Sequence, residues 1–268
     1  AWARVGAAGL LCPQVPEAYG GPGLDFSFNA IVGEELSYMG SAAGFTLQSD
    51  IVADYLVHYG SEEQKKRHLP AMVDGTTISA IAMTEPNAGS DLQGMKSSAR
   101  KDGNGWRLSG SKTYITNGQT ANLVIVVAKT DPSEGAKGVS LVVVETDGAD
   151  GFTRGKNLKK LGNKAQDTSE LFFDDVKIPT ENLLGTDEGM GFIQLMQQLP
   201  QERHQIAVQG MATIERALEL TIAYVKERHA FGRPILSFQN TQFKLAECKA
   251  RATMARVFVD YCTGELIA

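Results

Sequence analysis

The densest run of groups able to do chemistry is Ile81-Ala82-Met83-Thr84-Glu85-Pro86-Asn87-Ala88-Gly89-Ser90-Asp91-Leu92. An apolar run enters it, a hydroxyl, an acid and a proline follow, and a small-residue turn from Asn87 to Ser90 closes on Asp91. A strand that runs into a tight polar turn brings backbone N–H groups and hydroxyls close to a bound group. The plainer alternative is a surface turn after a strand, and a short motif alone does not decide between them. A second stretch is Leu199-Pro200-Gln201-Glu202-Arg203. Pro200 suits the first turn of a helix, which puts Glu202 at the positive dipole end, where a carboxylate is favoured. Acids are also common in first turns for that reason alone.

Three blocks must position these groups. Residues 1–77 read as an N-terminal α-helical domain, with a helix over Phe26–Tyr38, another reaching about His58, and the helix-stop and helix-start signal Gly60-Ser61-Glu62-Glu63. Lys65, Lys66 and Arg67 then read as a solvated face. Residues 78–185 change grammar to short β-rich runs, Ile78–Met83, Trp106–Ser109, Thr113–Thr116, Leu123–Ala128, Val139–Val144 and Glu170–Phe173, cut by Gly, Asn and Asp turns. That pattern predicts an antiparallel β domain, a barrel or sandwich. Residues 186–268 return to helix: a short one over Gly189–Gln198, a new one from Pro200 with Ala207, Met211, Ile214, Leu218, Ile222 and Val225 in step, and a second long one carrying Leu245, Cys248, Ala252, Ala255, Val259 and Cys262. Steps of three and four are helix-bundle spacing. The fold class is therefore α+β.

Composition bounds the rest. With 268 residues, 43% hydrophobic and 21% charged, the chain is globular. A net charge of −5 with signs mixed gives no support for nucleic acid as a partner. No apolar run reaches the length of a membrane span. Cys12, Cys248 and Cys262 form no metal spacing and read as reduced, mostly buried thiols. The chain begins without Met and stops inside a periodic helix, so it reads as an internal piece of a longer protein. Two long helices cannot bury both apolar stripes, so further helices or another subunit are expected.

Five blocks in order resemble the acyl-CoA dehydrogenase family. Ala82–Leu92 is similar to its flavin signature A-M-T-E-P-G-A-G-S-D-L, departing only at Asn87, which tolerates positive φ. Gly110–Gly118 resembles G-x-K-x-(W/F/Y)-I-(T/S)-N-(G/A); Leu161-Gly162 with Asp167-Thr168 and Leu171–Val176 resembles the next block. Glu227-Arg228-His229-Ala230-Phe231-Gly232 with Phe238-Gln239 resembles E-R-x-x-F-G…x-Q. Leu199–Arg203 points to the long-chain and isovaleryl branch, which carries its catalytic glutamate in this helix.

The resemblance implies a middle antiparallel β-barrel between helical domains, with only the first two long helices of the C-terminal bundle present. It implies FAD-dependent conversion of an acyl-CoA thioester to trans-2-enoyl-CoA, Glu202 taking the α-proton and flavin N5 the β-hydride. Burial against the acyl chain would then oppose the dipole at Glu202. It implies flavin contacts from Ala82, Met83, Thr84, Gly89, Ser90, Tyr114, Ile115 and Thr116, with Thr84 at the pyrimidine edge, Thr116 near N5 and Tyr114 flanking the ring. Arg228, Phe231 and Gln239 would meet the adenylate half across a subunit contact. Ser90 and Arg203 would be substrate-side. His204 stands where an apolar residue is usual, and reads as a satisfied helix histidine or a polar group altering the pocket. Gly40, Ala42, Ala43 and Gly44 would leave room for an acyl chain. No G-x-G-x-x-G opens a strand–helix unit, so a Rossmann flavoprotein is excluded. An electron-transfer flavoprotein is the implied acceptor, in a homo-oligomer, tetramer or dimer, of the bacterial cytoplasm or alternatively the mitochondrial matrix. The rivals are a flavin oxidase or monooxygenase on the same fold, and a non-catalytic relative acting in assembly. Without the missing tail, the isolated chain is expected to bind FAD poorly.

Overall fold

The computed structural model describes residues 1–41 and 43–268, so Ala42 lies outside the described residues. The chain forms two compact units, one from Ala1–Leu24 and Ala42–Pro200, the other from Asp25–Ser41 and Gln201–Ala268.

The first unit opens with α1 (Trp2–Ala7). Helix α2 (Phe26–Tyr38) belongs to the second unit; its start is capped by Asp25, whose side chain accepts from Ser27 N at 2.8 Å. Next come α3 (Phe45–Leu47), a π-turn (Gln48–Val52) and α4 (Ala53–Tyr59), continuous in sequence. Helix α5 (Glu62–Val73) starts with the Ser61/Gln64 capping box. It runs on past Pro70, so Lys65, Lys66 and Arg67 lie mid-helix. Only Lys66 and Arg67 are exposed; Lys65 is half-buried, its ammonium 5.9 Å from the Tyr19 ring centre.

The sheet consists of β1 (Ser79–Ala82), β2 (Ser98–Lys101), β3 (Gly105–Thr116), β4 (Leu123–Lys129), β5 (Val139–Glu145), β6 (Phe152–Asn157) and β7 (Thr168–Pro179). Its order is β1-β4-β2-β3-β7-β6, with β5 paired to β4. Pairs β2–β3, β3–β7, β6–β7 and β4–β5 are antiparallel, but β1 and β2 both meet β4 in parallel. The sheet is thus mixed rather than antiparallel: β1 enters from the helical segment before it and leaves through the polar turn, so no hairpin fixes its direction. Among the described residues no ladder joins the two ends of that order. Inward residues of six strands, including Ala82, Leu108, Ile115, Val126, Val142, Leu171 and Phe173, form one core. The first six residues of β4 and of β5 are buried. A strand covered on both faces reads as a continuous apolar run, which is why these two were plain in the sequence.

Asn117 ties this sheet to the helices of its unit. At φ 62° it turns the chain sharply after β3, and its Nδ2 donates to the carbonyls of Gly44 and Ser79, both at 3.1 Å. A Cβ on Gly44 would stand 2.0 Å from Asn117 Oδ1. Gly44 is small to admit this amide.

The second unit packs α2 with the later part of α6 (Gly191–Glu227) and with α7 (Gln239–Ile267). Phe26, Ala30 and Val208 form its buried apolar cluster, with Val259 against it. Arg256 donates to Glu34 and Glu215, each at 2.6 Å. Helix α6 is unbroken across Pro200, contrary to the two helices expected. A proline removes one backbone bond and crowds a carbonyl, which a long, otherwise favourable helix can absorb at a cost of ~3 kcal/mol. Ala207, Ile214 and Cys248 on the two apolar stripes are exposed, as expected of two long helices that cannot bury both stripes by themselves; the thiols, however, are not mostly buried, since Cys248 is exposed, Cys262 half-buried and only Cys12 buried.

Asn117→Ala is expected to lower the unfolding free energy by about 3 kcal/mol, because two inward carbonyls lose their donor and the left-handed backbone loses a tolerant residue. Denaturant unfolding checks this; an unchanged midpoint would contradict the tie.

Candidate active site

The signature stretch leaves β1 as extended backbone and folds back at once. Glu85 and Ala88 exchange backbone bonds of 2.9 and 3.2 Å around a Pro86-Asn87 corner. Proline presets the first corner residue. Asn87 does not have a positive φ, so the turn closes without the left-handed residue anticipated from the sequence.

Glu85 is the anchor. It accepts from Lys96 N at 2.6 Å and Ser97 N at 3.0 Å. Its Oε1 lies 2.9 Å from Lys112 Nζ, with side-chain exposures of 6% and 0%. Lys112 also donates to the Met83 carbonyl at 3.0 Å. Burial pushes the Glu85 carboxyl up, but the donors at Ser97 and Lys96 and the Lys112 ammonium outweigh it, and it lies below the usual carboxylate range. At Lys112 burial pulls the ammonium down, opposed by Glu85. One bond more, Thr113 N to the Thr84 carbonyl at 2.9 Å, fastens the two motifs side by side.

Along β3 the register against β7 shifts between Lys112 and Ile115. Tyr114 sits in that bulge at φ 59° with 68% of its surface exposed. A bulky residue in the left-handed region is strained, and here the strain turns an aromatic ring outward from a sheet core. Thr84 and Thr116 flank it half-buried, and Thr116 Oγ1 accepts from Gln166 Nε2 at 2.8 Å. Met83 is half-buried, Gly89 and Ser90 exposed. The side chains of Ala82 and Ile115 belong to the sheet core, which leaves only their backbone for any bound group.

In the second unit Glu202 lies well inside α6 at 9% exposure. The dipole expected at a helix start does not reach it, since that field fades within the first turn. Arg203 is exposed. His204 Nε2 lies 2.7 Å from Thr263 Oγ1, its ring 5.7 Å from Phe26, and burial lowers its proton affinity. It is a satisfied helix histidine.

Arg228, Phe231 and Gln239 gather around the hairpin of β8 (His229–Ala230) and β9 (Arg233–Pro234). Its two-residue loop has positive φ at both Phe231 (52°) and Gly232 (77°), the type I′ geometry. The loop holds Phe231 out at 95% exposure, and Arg228 and Gln239 are exposed as well.

Sequence reasoning missed Glu85, Lys112, Asn117 and Gln166 as supports. The pair carried a signal, one acid and one base inside two apolar motifs, but which charges meet is a tertiary fact.

Three family models match: acyl-CoA dehydrogenase N-terminal domain over residues 1–76, middle domain over 80–176 and C-terminal domain over 189–265. The mitochondrial long-chain specific acyl-CoA dehydrogenase of Sus scrofa is 50% identical over 264 residues, 97% of this chain and 61% of that protein. The mitochondrial isovaleryl-CoA dehydrogenase of Oryza sativa subsp. japonica is 37% identical, over 96% of this chain and 63% of that protein. The chain thus spans less than two thirds of these relatives. The crystal structure of acyl-CoA dehydrogenase from Geobacillus kaustophilus matches with a TM-score of 0.97 at 48% identity, over 99% of this chain and 70% of that one.

Lys112→Met strands a buried carboxylate and is expected to cost about 3–5 kcal/mol, most of it recovered by adding Glu85→Gln. Because the folded Glu85 is held low, its contribution is present above the unfolded value of about 4.3 and fades as pH falls through the folded one. Unfolding followed from pH 7 to pH 3 should show a shallower acid loss in Glu85→Gln than in the parent.

Proposed function

The chain belongs to the acyl-CoA dehydrogenase family, and on that premise we propose that it carries the flavin platform and the general base of an FAD-dependent enzyme that desaturates an acyl-CoA thioester to its trans-2-enoyl form. The observation that carries this is Tyr114: an exposed ring held outward by a strained bulge, on the same segment as the Thr116 hydroxyl and fastened through Thr113 to Thr84. A flat apolar face with a polar edge fits an isoalloxazine.

Met83 and Thr84 would hold the pyrimidine edge, Tyr114 would flank the ring, and Thr116 would stand at its redox-active edge. Ala82 and Ile115 would offer backbone only. Gly89 and Ser90 would serve the diphosphate, or Ser90 the pantetheine mouth. Arg228 suits a phosphate by its planar fork, and with Phe231 and Gln239 would meet the adenylate half where a second copy of the chain packs. Bound there, FAD would supply the acceptor for the hydride leaving the β-carbon.

Glu202 is the proposed base. Its carboxylate takes the α-proton, a step that needs the acid shielded from bulk water and in contact with the thioester's α-carbon; its 9% exposure supports the first condition. Arg203 is the proposed substrate-side cation, suited to the phosphates of CoA. An electron-transfer flavoprotein is the proposed electron acceptor. The proposed substrate class is the acyl-CoA thioesters of the long-chain and isovaleryl branch, from the Leu199–Arg203 segment and the relatives above.

Glu202→Gln in the flavin-loaded protein is expected to keep its yellow absorbance and lose about 10²–10⁴-fold in the rate at which an acyl-CoA bleaches it. A panel of thioesters graded in length and branching supplies the substrate. Bleaching at the parent rate would remove Glu202 from the role of base; a parent protein that no thioester bleaches would remove the activity itself.

A further inference from the structure

We infer that Gln166 is a positioning residue for hydride acceptance, acting through the hydroxyl of Thr116; the inference rests on the flavin reading above. Gln166 Nε2 donates to Thr116 Oγ1 at 2.8 Å. A threonine hydroxyl has one hydrogen and two lone pairs. With an amide N–H filling a lone pair from the loop side, the hydroxyl hydrogen is turned away from Gln166 and left to donate to another acceptor. A group that stabilises charge arriving on an acceptor works best when it is aimed beforehand, since nothing then reorganises during the reaction.

The loop carrying Gln166 is held by other residues. Asp167 accepts from Asn117 N at its carbonyl (3.2 Å) and from Gln119 N at its carboxylate (2.7 Å). Lys160 Nζ donates to the Gln166 carbonyl at 2.6 Å and to Thr168 Oγ1 at 2.8 Å. The Gln166 backbone is thereby clamped to the turn that follows Thr116, and its half-buried side-chain amide is not needed to close the loop. What that amide does is set one hydroxyl. This separates a positioning role from a structural one.

Two substitutions act on the hydroxyl differently. Gln166→Ala frees it to rotate. Gln166→Glu replaces the donor by an acceptor, which draws the hydroxyl hydrogen toward the loop. In the flavin-loaded protein Gln166→Ala is expected to slow bleaching by a saturating acyl-CoA about tenfold, with substrate affinity unchanged, by loss of an oriented donor. Its two-electron flavin potential should fall by about 30 mV, the equivalent of that factor. Gln166→Glu should go further in both readouts. Because the effect passes through Thr116, Gln166→Ala added to Thr116→Val should change neither rate nor potential beyond Thr116→Val alone. A Gln166→Ala protein with the parent's potential and rate, or one whose losses add in full to those of Thr116→Val, would overturn the inference and leave the flavin reading standing. A full-length parent protein that takes up no flavin would overturn that reading, and this one with it.

Discussion

A lysine ammonium with no solvent exposure and a glutamate held against it are the interaction on which the candidate site depends. Neither charge is tolerable in that position alone, because an unpaired ion in a low-dielectric interior forfeits its hydration without return. Together with two backbone N–H groups and one carbonyl they satisfy each other. The cost of separating them is what fixes geometry: Glu85 cannot leave Lys112, Met83 cannot rotate its carbonyl away from the ammonium, and Thr84 is carried between them. Two stretches far apart in the chain are thereby locked into one surface. Replacing the pair by apolar groups of similar size need not lower stability. Its use is to specify one arrangement of the Met83–Thr84 backbone.

A rigid anchor also lets strain persist beside it. Tyr114 and Phe231 are both bulky, both in the left-handed region, and both exposed. An exposed aromatic gains little from burial, so neither conformation is repaid by the ring itself. It is repaid by the flanking ladders: β3 with β7 around Tyr114, β8 with β9 around Phe231. Strain of this kind costs ~1–3 kcal/mol and survives only where the surroundings over-determine the backbone. Two such rings, one on each unit, are the places where the fold gives up stability to present a flat surface.

The sequence disclosed these features unevenly, for physical reasons. Strands β4 and β5 were legible because both faces are buried and the apolar run is unbroken. Helix α2 was legible to the residue, because Asp25 and the glycine after Met39 bracket a good helical stretch. Strands β2 and β6 were not: Ser-Ala-Arg-Lys and Phe-Thr-Arg-Gly-Lys-Asn carry too few apolar residues to show a period, and they exist because neighbours offer them a ladder. The parallel entry of β1 was hidden for the same reason, since direction is a property of the pair. Candidate site residues were legible by type, yet their supports were not. Gln166 and Asn117 act on groups that only the folded chain brings near.

Pro200 shows the limit most clearly, because a sound local rule gave the wrong element there. Proline favours a first turn, and a break after Gln198 put Glu202 at a helix start where the dipole would hold a carboxylate ionised. The helix instead runs through. Pro200 has no N–H to give the carbonyl one turn earlier, and the boundary between the two compact units falls just after it. Backbone bonds on both sides of Glu202 still fix where its side chain leaves the helix, so orientation is kept while the dipole is lost. What the side chain meets there is a largely buried setting rather than a helix end. For a group proposed to receive a proton from a weak carbon acid, a fixed direction and shelter from bulk water are the useful properties. The same proline that misled the element boundary therefore leaves an acid placed by the helix ladder around it and not by a helix end.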